Sequence, residues 1–365
     1  MEALALVDRR TRILVAIAAA ATGVSFVLVF AGATPVATFA ATAVALALLA
    51  ALVGEGTDEL GARLSPAATG ILQSALGNLP ELFIAIFSLQ AGLVAVVQSA
   101  LIGSILANSL LVLGAAFIVG GLRHGTQRFG AGQSRAIASL LLLSVAALVI
   151  PTLATQPGAP DAGHAPELSV VVSIVLLVVF AASVPFSLAG AGGQAPRTAA
   201  TVEAQRVPWP AWLSVGLLTV AAIAAAFVAD WFVEALRPAM ATLGMSEAFA
   251  GLVVVALAGN AVENVVGIQA AARNHAELAV SLILNSSLQV AVALTPALVL
   301  LSMVIGAAPL TLVVTPLLAG SVALSALLTA FIVFDGESNW LEGLALVGLY
   351  AIIAASVWWG PAIGA

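Results

Sequence analysis

Gly77-Asn78-Leu79-Pro80-Glu81 and Gly259-Asn260-Ala261-Val262-Glu263 each set a carboxylate inside an apolar run long enough to cross a bilayer. The two strings lie 182 positions apart in a chain of 365 residues. A second pair keeps the same offset: Ser104 follows Glu81 by 23 residues, and Ser286 follows Glu263 by 23. A carboxylate in hydrocarbon is costly, so an intramembrane Glu points to a functional site. Two of them, at matched places in the two halves, point to an internal duplication with an ion site between the copies.

The composition leaves lipid as the surroundings. The chain is 62% hydrophobic and 8% charged, with mean hydropathy +1.18, so a soluble fold would lack the polar surface to cover its core. With no Cys, disulfides and thiolate metal sites are excluded. A net charge of −6 carried by few residues offers no basic footprint for nucleic acid. All 11 basic residues are Arg, and the Ala-rich, Lys-free composition suggests a bacterium with a GC-rich genome.

A membrane-crossing helix takes about 20 mostly apolar residues. That length gives eleven candidates, roughly 12–32, 36–54, 67–91, 94–121, 134–151, 167–188, 210–233, 246–272, 276–304, 309–333 and 340–359. Strand alternation is absent, which favours helices over a barrel. The first apolar run follows Arg9, Arg10 and Arg12 as a signal peptide would, but its length of about 18 exceeds the usual 7–15, so the helix reads as retained. With the N-terminus inside, alternate loops place Arg9, Arg10, Arg12, Arg63, Arg123, Arg128, Arg135, Arg197, Arg206 and Arg273 in the cytoplasm and Arg237 alone outside.

The expected architecture is an all-α, multi-pass integral membrane protein of about eleven transmembrane helices. Residues 1–33 hold an N-terminal helix, 34–188 a first five-helix repeat, 189–208 a cytoplasmic linker and 209–365 a second five-helix repeat. An odd number of helices per copy inverts the second copy, so the two acidic helices run in opposite directions. The setting is a bacterial cytoplasmic (inner) membrane, N-terminus inside and C-terminus outside. The expected partners are the cation, protons and membrane lipid, with a homo-oligomer as a further option.

On a helix Asn78 and Glu81 share a face, with Gly77 one turn from Glu81; Asn260, Glu263 and Gly259 repeat the pattern. The glycines permit close backbone approach, and Pro80 is expected to bend its helix. The following helices add Ser104 and Asn108 in the first half and Asn285, Ser286, Ser287 and Gln289 in the second. Oxygen and amide groups without Cys or His suit a hard cation such as Ca²⁺. The plainer reading of each neutral residue is interhelical hydrogen-bond glue, and Gly-x-x-x-Gly-like spacings are packing devices. Elsewhere, Gln98 reads as interfacial. Glu55, Asp58 and Glu59 read as a solvated loop in preference to an acidic vestibule. Asp335, Glu337 and Glu342 read as a solvated cluster without an Arg partner.

The stretch from Gly77 to Gly114, with GNLPELFIAIFSLQAG and GSILANSLLVLG, and that from Gly259 to Ser302, with GNAVEN and NSSLQVAVALTPALVLLS, resemble the two signature regions of the cation/Ca²⁺ exchanger superfamily, most closely its Ca²⁺/H⁺ antiporter branch. The resemblance implies exchange of Ca²⁺ for protons, with Glu81 and Glu263 as central carboxylates and Asn78 and Asn260 beside them. Three places depart from the branch. Pro80 and Val262 precede the glutamates where Thr or Ala is usual, Asn264 stands where His commonly follows, and the linker is not acidic.

The reading that follows is a secondary transporter and not an enzyme, with no resident cofactor. The cation site would be drawn from Glu81, Glu263, Asn78, Asn260, Ser104, Asn108, Ser286, Ser287, Gln289, Gly77 and Gly259, and Glu81 and Glu263 would also carry the protons. A Na⁺-coupled Ca²⁺ exchanger is the nearest rival and a cation channel a more distant one. An intramembrane hydrolase would need a Ser/His or paired-Asp constellation, and no His falls mid-span.

Overall fold

The computed structural model describes residues 7–64, 68–69, 72–73, 76–159, 161–190, 209–305 and 309–359, with backbone alone at 133, 184–190 and 261–263. Its helices are α1 (Arg9–Phe30), α2 (Pro35–Gly61), α3 (Leu79–Gln90), α4 (Val94–His124), α5 (Ala131–Ala154), α6 (Ala165–Gly190), α7 (Ala211–Leu243), α8 (Glu247–Gly259), α9 (Ala261–Ala272), α10 (Ala276–Ile305), α11 (Pro316–Val333) and α12 (Trp340–Trp358). Among the described residues nine are long and apolar enough to cross a membrane, and α8 with α9 makes a tenth that bends by 64°.

The expected eleven differ at one place among the described residues. The candidate at 246–272 is broken, because Asn260 leaves helical geometry (φ −96°, ψ 15°) and restarts the chain as α9. The candidate at 67–91 lies partly outside the described residues: 68–69, 72–73 and 76 are helical, the Gly77 amide bonds the Gln73 carbonyl at 2.8 Å, and α3 follows the Asn78 turn. Asn78 precedes α3 with nearly the same angles (φ −97°, ψ 19°). Pro80 therefore does not bend a helix. It sits in the first turn, where a missing N–H costs nothing.

Two apolar clusters hold the molecule together. One joins α1, α2 and α7 through residues such as Leu46, Val53, Ala225 and Phe232. The other joins α4, α5, α10, α11 and α12 through Leu113, Phe117, Leu141, Leu298, Val322 and Leu346. The helix α3 contributes Ile84 to the first and Ala85 and Leu89 to the second, and α4 splits Val96 from Val97 in the same way. The first acidic string thus opens a helix lying on the seam between the clusters. Exposed Val27, Phe30, Val178, Val220 and Phe227 form the apolar exterior that lipid covers.

Glycines set the closest crossings. A Cβ on Gly103 of α4 would overlap the Leu252 carbonyl of α8, and one on Gly251 would overlap the Val96 carbonyl. Gly114 and Gly343 make a similar crossing of α4 with α12, where an added Cβ would come 2.6 Å from the Gly343 oxygen and 2.5 Å from the Gly114 oxygen respectively. These are packing devices, in line with the sequence expectation.

Among the described residues, loop contacts join segments that alternation of spans puts at the same end. At one end Thr11 donates to Glu55 (3.0 Å), Gln73 to Asp58 (2.8 Å), the Trp209 amide to Glu59 (3.1 Å), and Arg63 to the Trp209 carbonyl. Glu55, Asp58 and Glu59 are therefore part of α2 and hydrogen-bonded, which corrects their reading as a solvated loop. At the same end two short strands, β1 (Gln127–Arg128) and β2 (Glu337–Ser338), pair antiparallel, and Arg128 bridges Glu337 at 3.0 Å. Glu342 closes a capping box with Asn339 at the start of α12. The acidic cluster there does have an Arg partner, brought from 209 residues away.

At the opposite end an extended segment, 309–315, is held by side chains. The amides of Leu310, Leu312 and Val314 donate to the hydroxyls of Ser302, Ser169 and Thr152 at 2.8, 3.0 and 3.1 Å. Gln98 donates to the carbonyls of Thr311 and Val313, both at 2.9 Å. Gln98, expected at the interface, fastens this segment, because an unpaired carbonyl among apolar side chains is costly.

Gly103→Ala forces a Cβ into backbone that cannot yield, so it should destabilise by at least ~1–3 kcal/mol and lower the melting temperature in detergent. Gly216→Ala, where nothing lies within 4 Å, should leave it unchanged or raised. Equal responses would show that the α4–α8 crossing is not tight.

Candidate functional site

The two Asn-initiated helix starts bring their polar residues to the interior. Asn78, Glu81, Ser104, Asn108, Asn260, Ser286 and Ser287 are all buried. Glu81 lies in the first turn of α3, where the positive end of the helix dipole favours a carboxylate. It packs on Gly259: an added Cβ there would lie 2.7 Å from Glu81 Cγ and 3.1 Å from Oε1. The glycine of the second string is what gives the carboxylate of the first its room.

Beside it runs a hydrogen-bonded set linking both halves. Asn260 Nδ2 donates to Ser104 Oγ (2.9 Å) and to the Ala256 carbonyl (3.0 Å). Asn108 Nδ2 donates to Asn260 Oδ1 (3.3 Å) and to Ser286 Oγ (3.0 Å). Several buried atoms remain without a partner among the described residues: Asn78 Nδ2, Glu81 Oε2, Ser88 Oγ, Asn108 Oδ1 and Asn264 Oδ1. Unpaired buried oxygens are rare in folded proteins because each forfeits its hydration, and Glu81 and Ser88, each with one, line a single cleft with Ser104 of the hydrogen-bonded set. A cavity of about 20 Å³ borders Glu81, Ser88 and Ser104, and a single water fills about that much space.

The candidate residues sort clearly. Glu81, Gly259, Asn260, Ser104, Asn108 and Ser286 come together. Asn78 and Gly77 form the turn before α3, where the Gly77 amide bonds the Gln73 carbonyl at 2.8 Å. Ser287 returns its hydroxyl to the Ile283 carbonyl at 3.3 Å and stands outside the set. Gln289 is half-buried and also outside it. The backbone of Glu263 belongs to α9, and its side chain lies outside the described residues. Among the described residues no three His, Asp or Glu side chains converge, and Glu81 is the carboxylate they place beside the neutral oxygens.

Sequence reading missed Ser88 and three π-helical turns, at Ala107–Val112, Ala250–Val255 and Val290–Leu294. The first and third end at positions again 182 apart, just beyond Ser104 and Ser286. A π-turn inserts a residue and frees carbonyls, and such turns gather at functional sites. Hydroxyls reach carbonyls of two of these turns: Thr329 donates to Ser109 O (3.2 Å), and Thr295, whose amide already donates to Val290 O, adds its hydroxyl there at 2.7 Å.

Comparison with known proteins gives the same outline. The family described as sodium/calcium exchanger protein matches residues 34–189 and 213–359. The chain is 32% identical over 343 residues to a Ca²⁺/H⁺ antiporter of Aphanothece halophytica, covering 90% of this chain and 91% of that one. It is 33% identical to the Ca²⁺/H⁺ antiporter ChaA of Bacillus subtilis, over 87% and 90% of the two chains. The solved structure of native YfkE superposes with a TM-score of 0.81 at 29% identity, covering 94% of this chain and 99% of that one.

Asn260→Ala removes the centre of the hydrogen-bonded set and leaves Asn108 Nδ2 short of a partner, so it should cost about 1–3 kcal/mol of stability. Asn78→Ala removes an amide nitrogen that has none, and its cost should be smaller. Thermal melts of the two variants in one detergent measure the difference, and a larger cost at Asn78 would contradict the assignment.

Proposed function

The chain belongs to the sodium/calcium exchanger protein family, and on that premise we infer that it is a membrane antiporter exchanging Ca²⁺ for protons. The observation that carries the site is the convergence of Glu81, Asn260, Ser104, Asn108 and Ser286 around oxygens left unpaired. Glu81 and, from the second string, Glu263 serve as the shared carriers of cation and proton. Asn78, Asn260, Ser104, Asn108 and Ser286 supply neutral oxygens.

Competition for the same oxygens couples the two fluxes. Two nearby carboxylates in a low-dielectric site do not both stay ionised without a counter-charge. Ca²⁺ supplies it and displaces the protons; when the ion leaves, protons return. Metal binding to such a site releases protons, so acid weakens it. Few charged ligands keep the affinity modest, which suits an ion that must be let go on the far side. We read 34–188 and 209–365 as inverted repeats joined by the 189–208 linker, with 1–33 as a separate helix and the N-terminus in the cytoplasm. The identical 182-residue offsets, the matched Asn geometry and the same-end loop contacts support that reading.

Radiolabelled Ca²⁺ uptake into Na⁺-free proteoliposomes under an imposed pH gradient tests the activity. Glu81→Gln and Glu263→Gln should each abolish it while the protein still folds and inserts, since the change is nearly isosteric but removes charge and titration together. Wild-type-like exchange by either variant sinks the shared-carboxylate mechanism. Orientation is testable on the Cys-free background with Thr126→Cys, Thr155→Cys, Thr198→Cys and Ala365→Cys. An impermeant thiol reagent on intact cells should label the variants at 155 and 365 and spare those at 126 and 198. Labelling at both 155 and 198 would break the alternation of spans.

A further inference from the structure

Ser88 is fully buried in α3, and its hydroxyl has no partner among the described residues. That is unusual for a helical serine in an apolar setting, which ordinarily returns its hydroxyl to the carbonyl four residues back. Ser25, Ser109, Ser144 and Ser169 all do so in this chain, at 2.9, 2.6, 2.7 and 2.6 Å. Ser173 and Ser214 share the unpaired state, but Ser88 also shares a cleft with a carboxylate. The cleft is lined by Glu81, Ser88 and Ser104 and otherwise by apolar side chains such as Val97, Leu101 and Leu294.

Position gives the hydroxyl a direction. Ser88 follows Glu81 by seven residues, two turns along the same face of α3 and about 10 Å nearer the helix end. Past it the chain turns at Gly92 (φ 74°) into α4, where Gln98 holds the extended segment 309–315. The cleft therefore points from Glu81 toward the end of the bundle that this segment covers. Apolar walls alone keep a narrow space dry, whereas a hydroxyl that both donates and accepts gives water a foothold.

We propose that Ser88 is a positioning residue on the access route of this antiporter, its hydroxyl holding the water through which Ca²⁺ and protons reach Glu81 from the end covered by 309–315. The inference rests on the antiporter reading above. A water-holding group on a route affects how fast the site fills and empties, not how tightly it binds. It also makes no stabilising contact of its own, so its loss should not weaken the fold.

The test uses the full-length protein in Na⁺-free proteoliposomes, with Ca²⁺ and a pH gradient. Ser88→Ala should lower the maximal exchange rate by about fivefold or more, with the half-saturating Ca²⁺ concentration within about twofold of wild type. Its melting temperature should be unchanged or raised, and Ser88→Thr, which keeps the hydroxyl, should restore the rate. In Ser88→Cys the new thiol should react with a small methanethiosulfonate reagent, and Ca²⁺ should slow that reaction. A wild-type rate in Ser88→Ala overturns the proposal, as does slowing that comes with a lowered melting temperature and no rescue by Thr, or an unreactive thiol. The wild-type protein in the same vesicles keeps the two levels separate: if it shows no proton-driven uptake the antiporter reading itself fails, whereas an active wild type with an unaffected Ser88→Ala sinks only the role of Ser88.

Discussion

A carboxylate can be kept in the middle of a membrane protein only where backbone, neutral oxygens or a cation take the place of water around it. Glu81 is that carboxylate, and the surrounding architecture accommodates it. The Asn78 turn starts α3 so that Glu81 falls at the favourable end of the helix dipole. Gly259 clears the space against which its side chain lies. The Asn260–Ser104 and Asn108–Ser286 bonds tie three helices into one polar wall. The two apolar clusters meet along α3, so the helix bearing the charge belongs wholly to neither. A site placed on such a seam can be exposed by small movements of one cluster against the other.

The duplication is legible in the sequence because it is carried by residue types that a membrane does not tolerate without cause: Glu at 81 and 263, Asn at 78 and 260, Ser at 104 and 286. Hydropathy likewise reports the long helices, since each must bury about 20 apolar residues. What it misses is geometry set by the backbone. The break at Asn260 lies inside a run that is apolar on both sides, so composition reads one span where there are two helices at 64°. The π-turns leave no mark in composition, because they come from how α4, α8 and α10 pack and not from any residue preference. Ser88 is invisible for a different reason: its significance is the missing bond, and sequence cannot show which serine fails to return its hydroxyl to the helix.

Polar residues outside the site follow a related logic. The segment 309–315 runs extended among apolar side chains without a neighbouring strand, and Ser302, Ser169, Thr152 and Gln98 substitute for one. Partners supplied by side chains from α4, α5, α6 and α10 draw both halves onto a single stretch of backbone. At the other end β1 and β2, with Arg128 on Glu337, do the same job with main-chain pairing in the wetter surroundings of exposed loops. Sequence separation hides both, because all the partners but Ser302 are more than a hundred residues away.

The glycine crossings of α4 with α8 carry a mechanical consequence. At Gly103 and Gly251 the two helices meet main chain to main chain, with no side chain between them to act as a bearing. Sliding one along the other by even one residue would drive a Cβ into a carbonyl, so their relative register is keyed. One helix comes from each half and the pair borders the carboxylate. The two halves are thus locked together at the point where they meet beside the carboxylate, and a shift there needs the helices to part before they can slide.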